Sequence, residues 1–176
     1  MDYTIRLAQK TDVPLIADIE KAAAKQFMPY LDWLGISANL LESLTSVGFM
    51  LRAQSDERLW VAAVEDRPVG FIVVKFLRQS CFVVELDVHP DYGRRGIGSA
   101  LVNACVASAQ TKGFDDIILT TFRKVPWNIP FYERLGFEIW SEAEWPFDIE
   151  AIVQHEERYG FARDKRAVMR KRLLQG

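Results

Sequence analysis

The sequence is poor in the residue types that mark several protein classes. It has two cysteines, Cys81 and Cys105, and two histidines, which is too few for a disulfide framework or a His/Cys metal site. Both cysteines lie among apolar neighbours, so we expect buried thiols and no metal. The chain also lacks a Pro/Gly/Ser-rich linker, an internal repeat and an apolar run long enough to span a bilayer. These absences argue against secreted mini-proteins, repeat arrays and membrane-spanning proteins.

A strong charge of either sign is also missing. The 176 residues carry a net charge of −2, and nucleic-acid binding is driven by clustered Lys and Arg, so we expect no nucleic-acid partner. The first residues, "MDYTIRLAQ", do not lead from a basic stretch into an apolar one. We therefore expect a cytoplasmic protein with one domain over residues 1–176 and no membrane partner.

The apolar pattern predicts alternating strands and helices. Strands are predicted at "YTIRLA", "CFVVELDV" and "DDIILTTF", in a hairpin around Glu65 to Pro68, in residues 137–141 and, more weakly, in "RAVMRKRL". Helices are predicted over residues 11–27, near 37–47, from Ser99 to about Lys112 and around "NIPFYERL". This order predicts an α/β (α+β) fold with a central mixed sheet flanked by helices.

The stretch "HPDYGRRGIGSALVNA" is the most informative part of the chain. Gly93, Gly96 and Gly98 remove side chains at the point where a strand turns into a helix, so backbone N–H groups can approach a ligand closely. The helix from about Ser99 adds unpaired N–H groups and the positive end of its dipole. We therefore predict a phosphate site at the carboxyl end of the strand that ends near Val88.

Two familiar phosphate loops do not fit this stretch. A Walker loop needs Lys and then Ser or Thr after its last glycine, and Gly96 is followed by Ile97. A dinucleotide loop has the spacing GxGxxG, whereas these glycines run GxxGxG. Asp115 and Asp116 follow at about the expected distance but open their strand, which would place them at the wrong end of the sheet for a ribose.

The stretch "LDVHPDYGRRGIGSAL", with "NIPFYERLGF" some thirty residues later, resembles the GNAT superfamily of acetyl-CoA-dependent N-acetyltransferases. The resemblance implies a mostly antiparallel sheet and acetyl-CoA as co-substrate. It implies that Leu86 and Val88 offer backbone groups to the pantetheine arm. The residues that it places around the pyrophosphate are Arg94, Arg95, Gly96, Gly98 and Ser99.

The chain departs from the family pattern at two positions. Gly93 stands where the family loop usually has Gln or Arg, and Arg94 and Arg95 are candidates to supply that charge. Val125 stands where the family often has an Asn seven residues before the tyrosine of the second motif. Asn128 is then the candidate to contact the coenzyme beside Tyr132.

Acetyl transfer to an amine needs a proton acceptor for the amine and a proton donor for the leaving thiolate. Tyr132 is the candidate acid because of its motif position, and the alternative is that it only packs against the sheet. Glu85 is the first candidate base. Asp87 lies on the same face of the predicted strand as Glu85, since side chains repeat every second residue. Asp87 and a water molecule remain alternatives.

The acceptor is not identified by the sequence. From Glu138 to Glu157 the chain has seven acidic residues and no Lys or Arg. A solvated helix face followed by a charged edge strand explains such a run, and the sharper hypothesis is that Glu144, Asp148, Glu156 or Glu157 border a pocket for a cationic amine. Helices near the N-terminus, with Glu20, Phe27 and Tyr30, are expected to wall the acceptor side.

We therefore expect an N-acetyltransferase that acts on a primary amine of a small molecule or peptide. The alternative from another class is a regulatory domain that binds acyl-CoA without turnover, and an enzyme that uses a longer acyl group also remains open. The resemblance is compatible with a homodimer, which no residue of the sequence indicates by itself.

Overall fold

The structure is a computed structural model that describes residues 2–41 and 43–173. The strands are β1 Thr4–Leu7, β2 Leu59–Val64, β3 Arg67–Phe76, β4 Ser80–Val88, β5 Asp116–Phe122, β6 Glu138–Ile139 and β7 Arg166–Arg172. The helices are α1 Val13–Ala24, α2 Leu31–Leu34, α3 Ala38–Leu41, α4 Val47–Ser55, α5 Ile97–Thr111, α6 Asn128–Arg134 and α7 Phe147–Arg158. Short 3-10 turns lie at Lys25–Tyr30, Pro90–Tyr92, Glu142–Glu144 and Arg163–Lys165. None of the helices in the described ranges is long and apolar enough to cross a bilayer.

The seven strands form one sheet in the order β1-β2-β3-β4-β5-β7-β6. All neighbouring pairs are antiparallel except β4 and β5, which run parallel and are joined by the crossover helix α5. The predicted mixed, mostly antiparallel sheet is therefore confirmed. The predicted hairpin is β2 and β3, whose turn holds Glu65 and Asp66 at positive φ.

Helices cover both faces of the sheet. Helix α5 buries Leu101, Val102 and Cys105 against one face, together with inward side chains of β2, β3, β4 and β5. Helices α1 and α4 cover Phe71 and Val73 on the opposite face, and α7 covers the same face further along the sheet. Cys81 and Cys105 are both buried, as predicted.

Strands β4 and β5 separate before they end, and this separation creates the site. Their parallel pairing runs from Ser80 with Asp116 to Val83 with Leu119, while β4 continues to Val88. In the pairing with β3, Val73 faces Glu85 and Val74 faces Val83. Val84 is thus an extra residue, a bulge of the kind that reverses the alternation of the residues that follow.

Two predictions about elements are wrong. The helix near residues 37–47 is instead the short α3, followed by α4, which starts where Ser46 Oγ accepts a hydrogen bond from the Phe49 N–H at 3.2 Å. The charged strand β7 is not an edge strand, because it lies between β5 and β6. Its centre, Ala167 to Met169, is buried, and its charged residues lie towards the two ends.

Candidate active site

A cavity of about 340 Å³ opens between the separating ends of β4 and β5. Its polar lining comes from Glu20 on α1, Glu85 and Asp87 on β4, Glu156 on α7 and Arg166 on β7. The strand β5 adds Thr120 and Thr121, and the helix α6 adds Asn128 and Tyr132. Apolar side chains, among them Phe27, Leu40, Leu41, Phe122 and Phe161, complete the wall.

The bulge at Val84 turns two carboxyl groups into this cavity. Without the extra residue, Glu85 and Asp87 would share the face of Cys81 and Val83, which is packed against α5. With it, Leu86 and Val88 take that apolar face, and the two acidic side chains point to the opposite side. They lie on one face of the strand, as predicted.

The cavity wall gathers negative charge in a place with little water. Burial raises the pKa of Glu85 to about 7, Thr45 lowers it through a hydrogen bond, and the nearby Glu20 raises it. Burial and the charges of Glu85 and Glu20 raise the pKa of Asp87 well above its usual value. Three carboxyl groups therefore share the wall, with Glu85 poised to exchange a proton near neutral pH.

Tyr132 reaches the cavity from α6. Its ring packs edge-on against Phe131 and Phe137, with centroid distances of 5.0 and 5.6 Å. Burial raises the pKa of the phenol well above its usual value, the charge of Asp87 raises it further, and Arg166 acts in the opposite direction. The phenol is therefore protonated at neutral pH and available as a hydrogen donor.

The far wall is a polar cluster that joins three elements. Thr120 Oγ1 donates to Glu156 Oε1 at 2.5 Å, and the Arg166 guanidinium donates to Thr120 Oγ1 at 2.7 Å and to Glu156 Oε2 at 3.2 Å. The guanidinium also lies over the rings of Phe122 and Phe161, at 4.6 and 5.3 Å from their centroids. This cluster fixes β5, α7 and β7 around the cavity.

The glycine-rich loop lies beyond the end of β4. Arg94 and Gly96 have φ of +56° and +80°, and Gly96 directly precedes the first turn of α5. Arg94 and Arg95 are exposed, and Ser99 lies in that first turn. The loop therefore presents cationic side chains and unpaired helix N–H groups together, as an anion site requires.

Gly98 brings the loop against the second motif. A Cβ at Gly98 would lie 3.2 Å from Phe131 Cζ and 3.9 Å from Val88 Cγ2. The start of α5, the end of β4 and the middle of α6 thus meet at Gly98. Because Tyr132 follows Phe131, this contact links the loop to the cavity.

The free edge of β4 runs between the cavity and the glycine loop. The His89 N–H donates to the Val69 carbonyl of β3 at 2.8 Å. Successive residues of a strand direct their amide groups to opposite edges, so Leu86 and Val88 direct theirs away from β3. The pairing with β5 has ended before these residues, and their backbone groups face the opening.

The structure brings most of the predicted residues together. Glu85, Leu86, Asp87, Asn128 and Tyr132 line the cavity. Val88, Arg94, Arg95, Gly96, Gly98 and Ser99 form or adjoin the loop. Glu20 and Phe27 line the cavity as expected, whereas Tyr30 packs against Trp127, at 5.5 Å between ring centroids.

The acidic segment contributes less than the hypothesis allowed. Of its four candidates, Glu156 alone lines the cavity. Glu144 accepts a hydrogen bond from the Trp140 indole, Asp148 accepts from the Ile149 N–H, and Glu157 pairs with Arg163. In the part of the chain that the structure describes, no three His, Cys, Asp or Glu side chains are arranged to hold a metal ion.

Sequence reasoning missed Thr45 and Arg166. Thr45 lies in the connection between α3 and α4, where the sequence offers no motif, and it contacts Glu85 forty positions away. Arg166 belongs to the basic tail, which was attributed to an exposed edge. Arg166 begins β7 directly before the buried Ala167, and no local pattern distinguishes it from the other basic residues of that strand.

Solved structures share this fold along nearly the whole chain. The PaiA N-acetyltransferase of Thermoplasma acidophilum, solved with coenzyme A, has a TM-score of 0.69 at 17% identity, covering 98% of this chain and 99% of that one. The ribosomal-protein-S18-alanine N-acetyltransferase of Escherichia coli has a TM-score of 0.68 at 18% identity, covering 99% and 96%. These likenesses confirm the predicted fold class.

Two relatives also match in sequence. An uncharacterized N-acetyltransferase of Methanocaldococcus jannaschii, MJ1207, is 32% identical over 95 residues, which are 50% of this chain and 42% of that protein. The uncharacterized N-acetyltransferase YafP of Escherichia coli is 35% identical over 81 residues, 46% of each protein. The chain thus spans less than half the length of these relatives. The sequence profile of the acetyltransferase (GNAT) family matches residues 20–137, from the acidic wall on α1 past the glycine loop and Tyr132, and the chain therefore belongs to that family.

Proposed function

We propose that this protein transfers the acetyl group of acetyl-CoA to a primary amine that is cationic in water. The observation that carries the proposal is the cavity at the separated end of β4, which Glu85 and Tyr132 both line and which α6 links to the glycine loop through Phe131 and Gly98. The acidic wall attracts an ammonium group, and the same wall offers a proton acceptor. A small molecule and a peptide N-terminus both fit this chemistry.

The residues present suit acetyl-CoA. Arg94, Arg95 and the N–H groups around Gly96, Gly98 and Ser99 would hold its pyrophosphate, since they combine cationic side chains with a helix N-terminus. Gly98 leaves room where a Cβ would meet Phe131. The outward amide groups of Leu86 and Val88 would pair with the pantetheine arm as an added strand does. When bound, the co-substrate supplies the thioester carbon that the amine attacks.

Glu85 takes a proton from the amine in this proposal. Its pKa of about 7 leaves a large ionised fraction at neutral pH, and such a base accepts a proton far more readily than an ordinary carboxylate does. Asp87, whose pKa is raised well above its usual value, is not assigned the role of base in this proposal.

Tyr132 supplies the proton for the leaving sulfur. The bound ammonium first loses one proton through Glu85 to solvent, which leaves a neutral amine. The N–C bond then forms and the C–S bond breaks, the second amine proton passes to Glu85, and the phenol gives its proton to the thiolate. Solvent then restores both groups. Asn128, one helical turn before Tyr132 on α6, would hold the coenzyme through its side-chain amide.

Calorimetric titration with acetyl-CoA and with CoA, followed by a free-thiol release assay, tests the proposal. The amine panel comprises an aliphatic diamine, an amino-acid amide and a peptide with a free N-terminus. We expect binding and release with one class. Tyr132→Phe should lower the release rate about 10²-fold or more while acetyl-CoA binding is kept. Tyr159→Phe, at an exposed ring directly after α7, should change neither.

Two results would contradict the proposal. Binding of acetyl-CoA with no thiol release in the presence of any amine of the panel would favour the regulatory alternative, in which acyl-CoA is held and not turned over. Failure of both acetyl-CoA and CoA to bind would contradict the proposal that the glycine loop binds the pyrophosphate.

A further inference from the structure

Thr45 makes two hydrogen bonds to two acidic side chains of the cavity wall. Its Oγ1 donates to Glu85 Oε2 at 2.6 Å, and its backbone N–H donates to Glu20 Oε1 at 3.1 Å. Glu20 comes from α1 and Glu85 from β4, so a single residue connects two carboxyl groups of like charge. Hydrogen bonds to ionised groups are the strong ones, which makes this contact a determinant of where Glu85 points.

The connection that carries Thr45 is itself anchored. Ser46 caps α4 through the Phe49 N–H, and the following turn buries Met50 in the core with Phe71 and Val73. Val73 is the residue of β3 that pairs with Glu85. The helix that follows Thr45 and the strand that pairs with Glu85 therefore pack in the same core.

We infer that Thr45 is a positioning residue for the proposed base: its hydroxyl orients the Glu85 carboxylate by holding Oε2, which leaves Oε1 to meet the amine in the cavity. The inference rests on the proposed function for the role of Glu85, and on geometry for the contact. A hydroxyl that donates to a carboxylate also favours its ionised form, so Thr45 keeps Glu85 available as a base at neutral pH.

The other groups around Glu85 act on its ionisation in different directions. The charge of Glu20 opposes ionisation of Glu85, whereas a hydrogen bond with Asp87 favours it. Arg166 is already bonded to Glu156 and Thr120 on the far wall. The titratable and charged groups that face the cavity with Glu85 are Glu20 from α1, Asp87 from β4, Tyr132 from α6, Glu156 from α7 and Arg166 from β7.

The decisive test is a carboxyl carbon NMR titration of the full chain labelled with ¹³C at Glu, with Glu85 assigned by Glu85→Gln. Thr45→Val removes the hydroxyl and keeps the branched shape and the backbone N–H. We expect the Glu85 midpoint to rise by about one pH unit, which is a tenfold fall in the ratio of ionised to protonated carboxylate at a given pH. Thr45→Ser, which keeps the hydroxyl, should titrate like the wild type. Thr111→Val, which removes a hydroxyl bonded to Ala107 on α5, should do the same.

An unchanged Glu85 midpoint in Thr45→Val would overturn the inference, and so would an equal rise in Thr45→Ser. If circular dichroism shows that Thr45→Val is unfolded, Thr45→Ala is titrated and judged by the same outcomes. This readout needs neither acetyl-CoA nor an amine. If Glu85→Gln keeps the full rate of thiol release, the proposed role of Glu85 fails while the titration still decides on Thr45.

Kinetics separate positioning from a merely structural role. With the panel amine that gives the fastest thiol release, the acidic limb of the kcat/KM profile of Thr45→Val should move to higher pH by the same amount as the NMR midpoint. Raising the pH should restore most of the rate, and the KM for acetyl-CoA should stay at the wild-type value. A uniform loss of rate at every pH would contradict positioning through Glu85.

Discussion

The two sides of the candidate active site carry different kinds of unfavourable energy. The glycine loop holds backbone strain at Arg94, a residue with a side chain and a positive φ. The cavity wall formed by Glu20, Glu85 and Asp87 is the side proposed to meet the acceptor, and we call it the acceptor wall. It holds electrostatic repulsion, because these acidic side chains lie together in a partly dehydrated cavity. Such unfavourable features are typical of functional sites, where the rest of the fold compensates for them.

The two sides also differ in how they are assembled. The loop side follows from one continuous segment, β4 to α5, in which local residue types determine the conformation. The acceptor wall takes its polar groups from α1, the connection before α4, β4, α6, α7 and β7. The comparison teaches that the proposed phosphate site depends on local backbone geometry, whereas the proposed proton-transfer site depends on charges brought together by long-range packing.

The largest effect is expected at the acceptor wall. Glu85→Gln should lower kcat about 10²- to 10³-fold because it removes the proposed proton acceptor, while the acetyl-CoA dissociation constant stays the same. Thiol release and calorimetry measure the two quantities. Glu133→Gln, at an exposed position of α6, serves as the matched control, and a Glu85→Gln rate within threefold of its rate would refute the assignment.

The repulsion on that wall should appear in stability as a function of pH. The folded pKa of Glu85 is about 7, above its ordinary value of 4.5, so the folded state binds more protons between these values. The stabilisation is full below the ordinary pKa and is lost as the pH rises through 7. We expect the unfolding free energy to fall by about 2 kcal/mol between pH 5 and 8.

Glu85→Gln should remove at least half of this pH dependence, because Asp87 contributes in the same direction. Urea unfolding at pH 5 and pH 8 measures this change in the unfolding free energy, again with Glu133→Gln as control. Equal slopes in Glu85→Gln and the wild type would show that Glu85 titrates normally in the folded protein.

The loop side should respond to backbone strain instead. Gly96→Ala and Gly113→Ala both place a Cβ at positive φ, +80° and +76°, and each should cost about 1 kcal/mol of stability. Only Gly96→Ala should weaken acetyl-CoA binding, about tenfold, because it disturbs the N–H groups at the start of α5. Equal affinities for the two variants, measured by calorimetry, would separate Gly96 from the coenzyme site.

The smallest effect is expected from the far wall. Glu156→Gln leaves the charge of Arg166 uncompensated in the cavity, so the KM of a cationic amine should rise about three- to fivefold and less at high salt. Glu157→Gln alters the neighbouring carboxylate, which pairs with Arg163, and should leave the KM of the amine unchanged. Steady-state kinetics at two ionic strengths make the comparison, and an equal KM for both variants would deny Glu156 a role in attracting the amine.

The fold could be predicted in large part because its elements have local signals. Short runs rich in apolar and β-branched residues marked β4 and β5, and glycines marked both ends of α5. The wrong predictions concern elements defined by distant partners. Strand β7 looked like an edge because of its charges, but pairing with both β5 and β6 places it inside the sheet.

What the sequence determined by itself was the glycine loop, the tyrosine motif and through them the family, because each depends on residue types at fixed spacing along one segment. Only the tertiary structure decided where the acidic groups point. The bulge at Val84 exists because β4 pairs with β3 in a shifted register, and the contact between Thr45 and Glu85 exists because α4 packs against that sheet. Both depend on contacts between residues far apart in the chain, which no local pattern encodes.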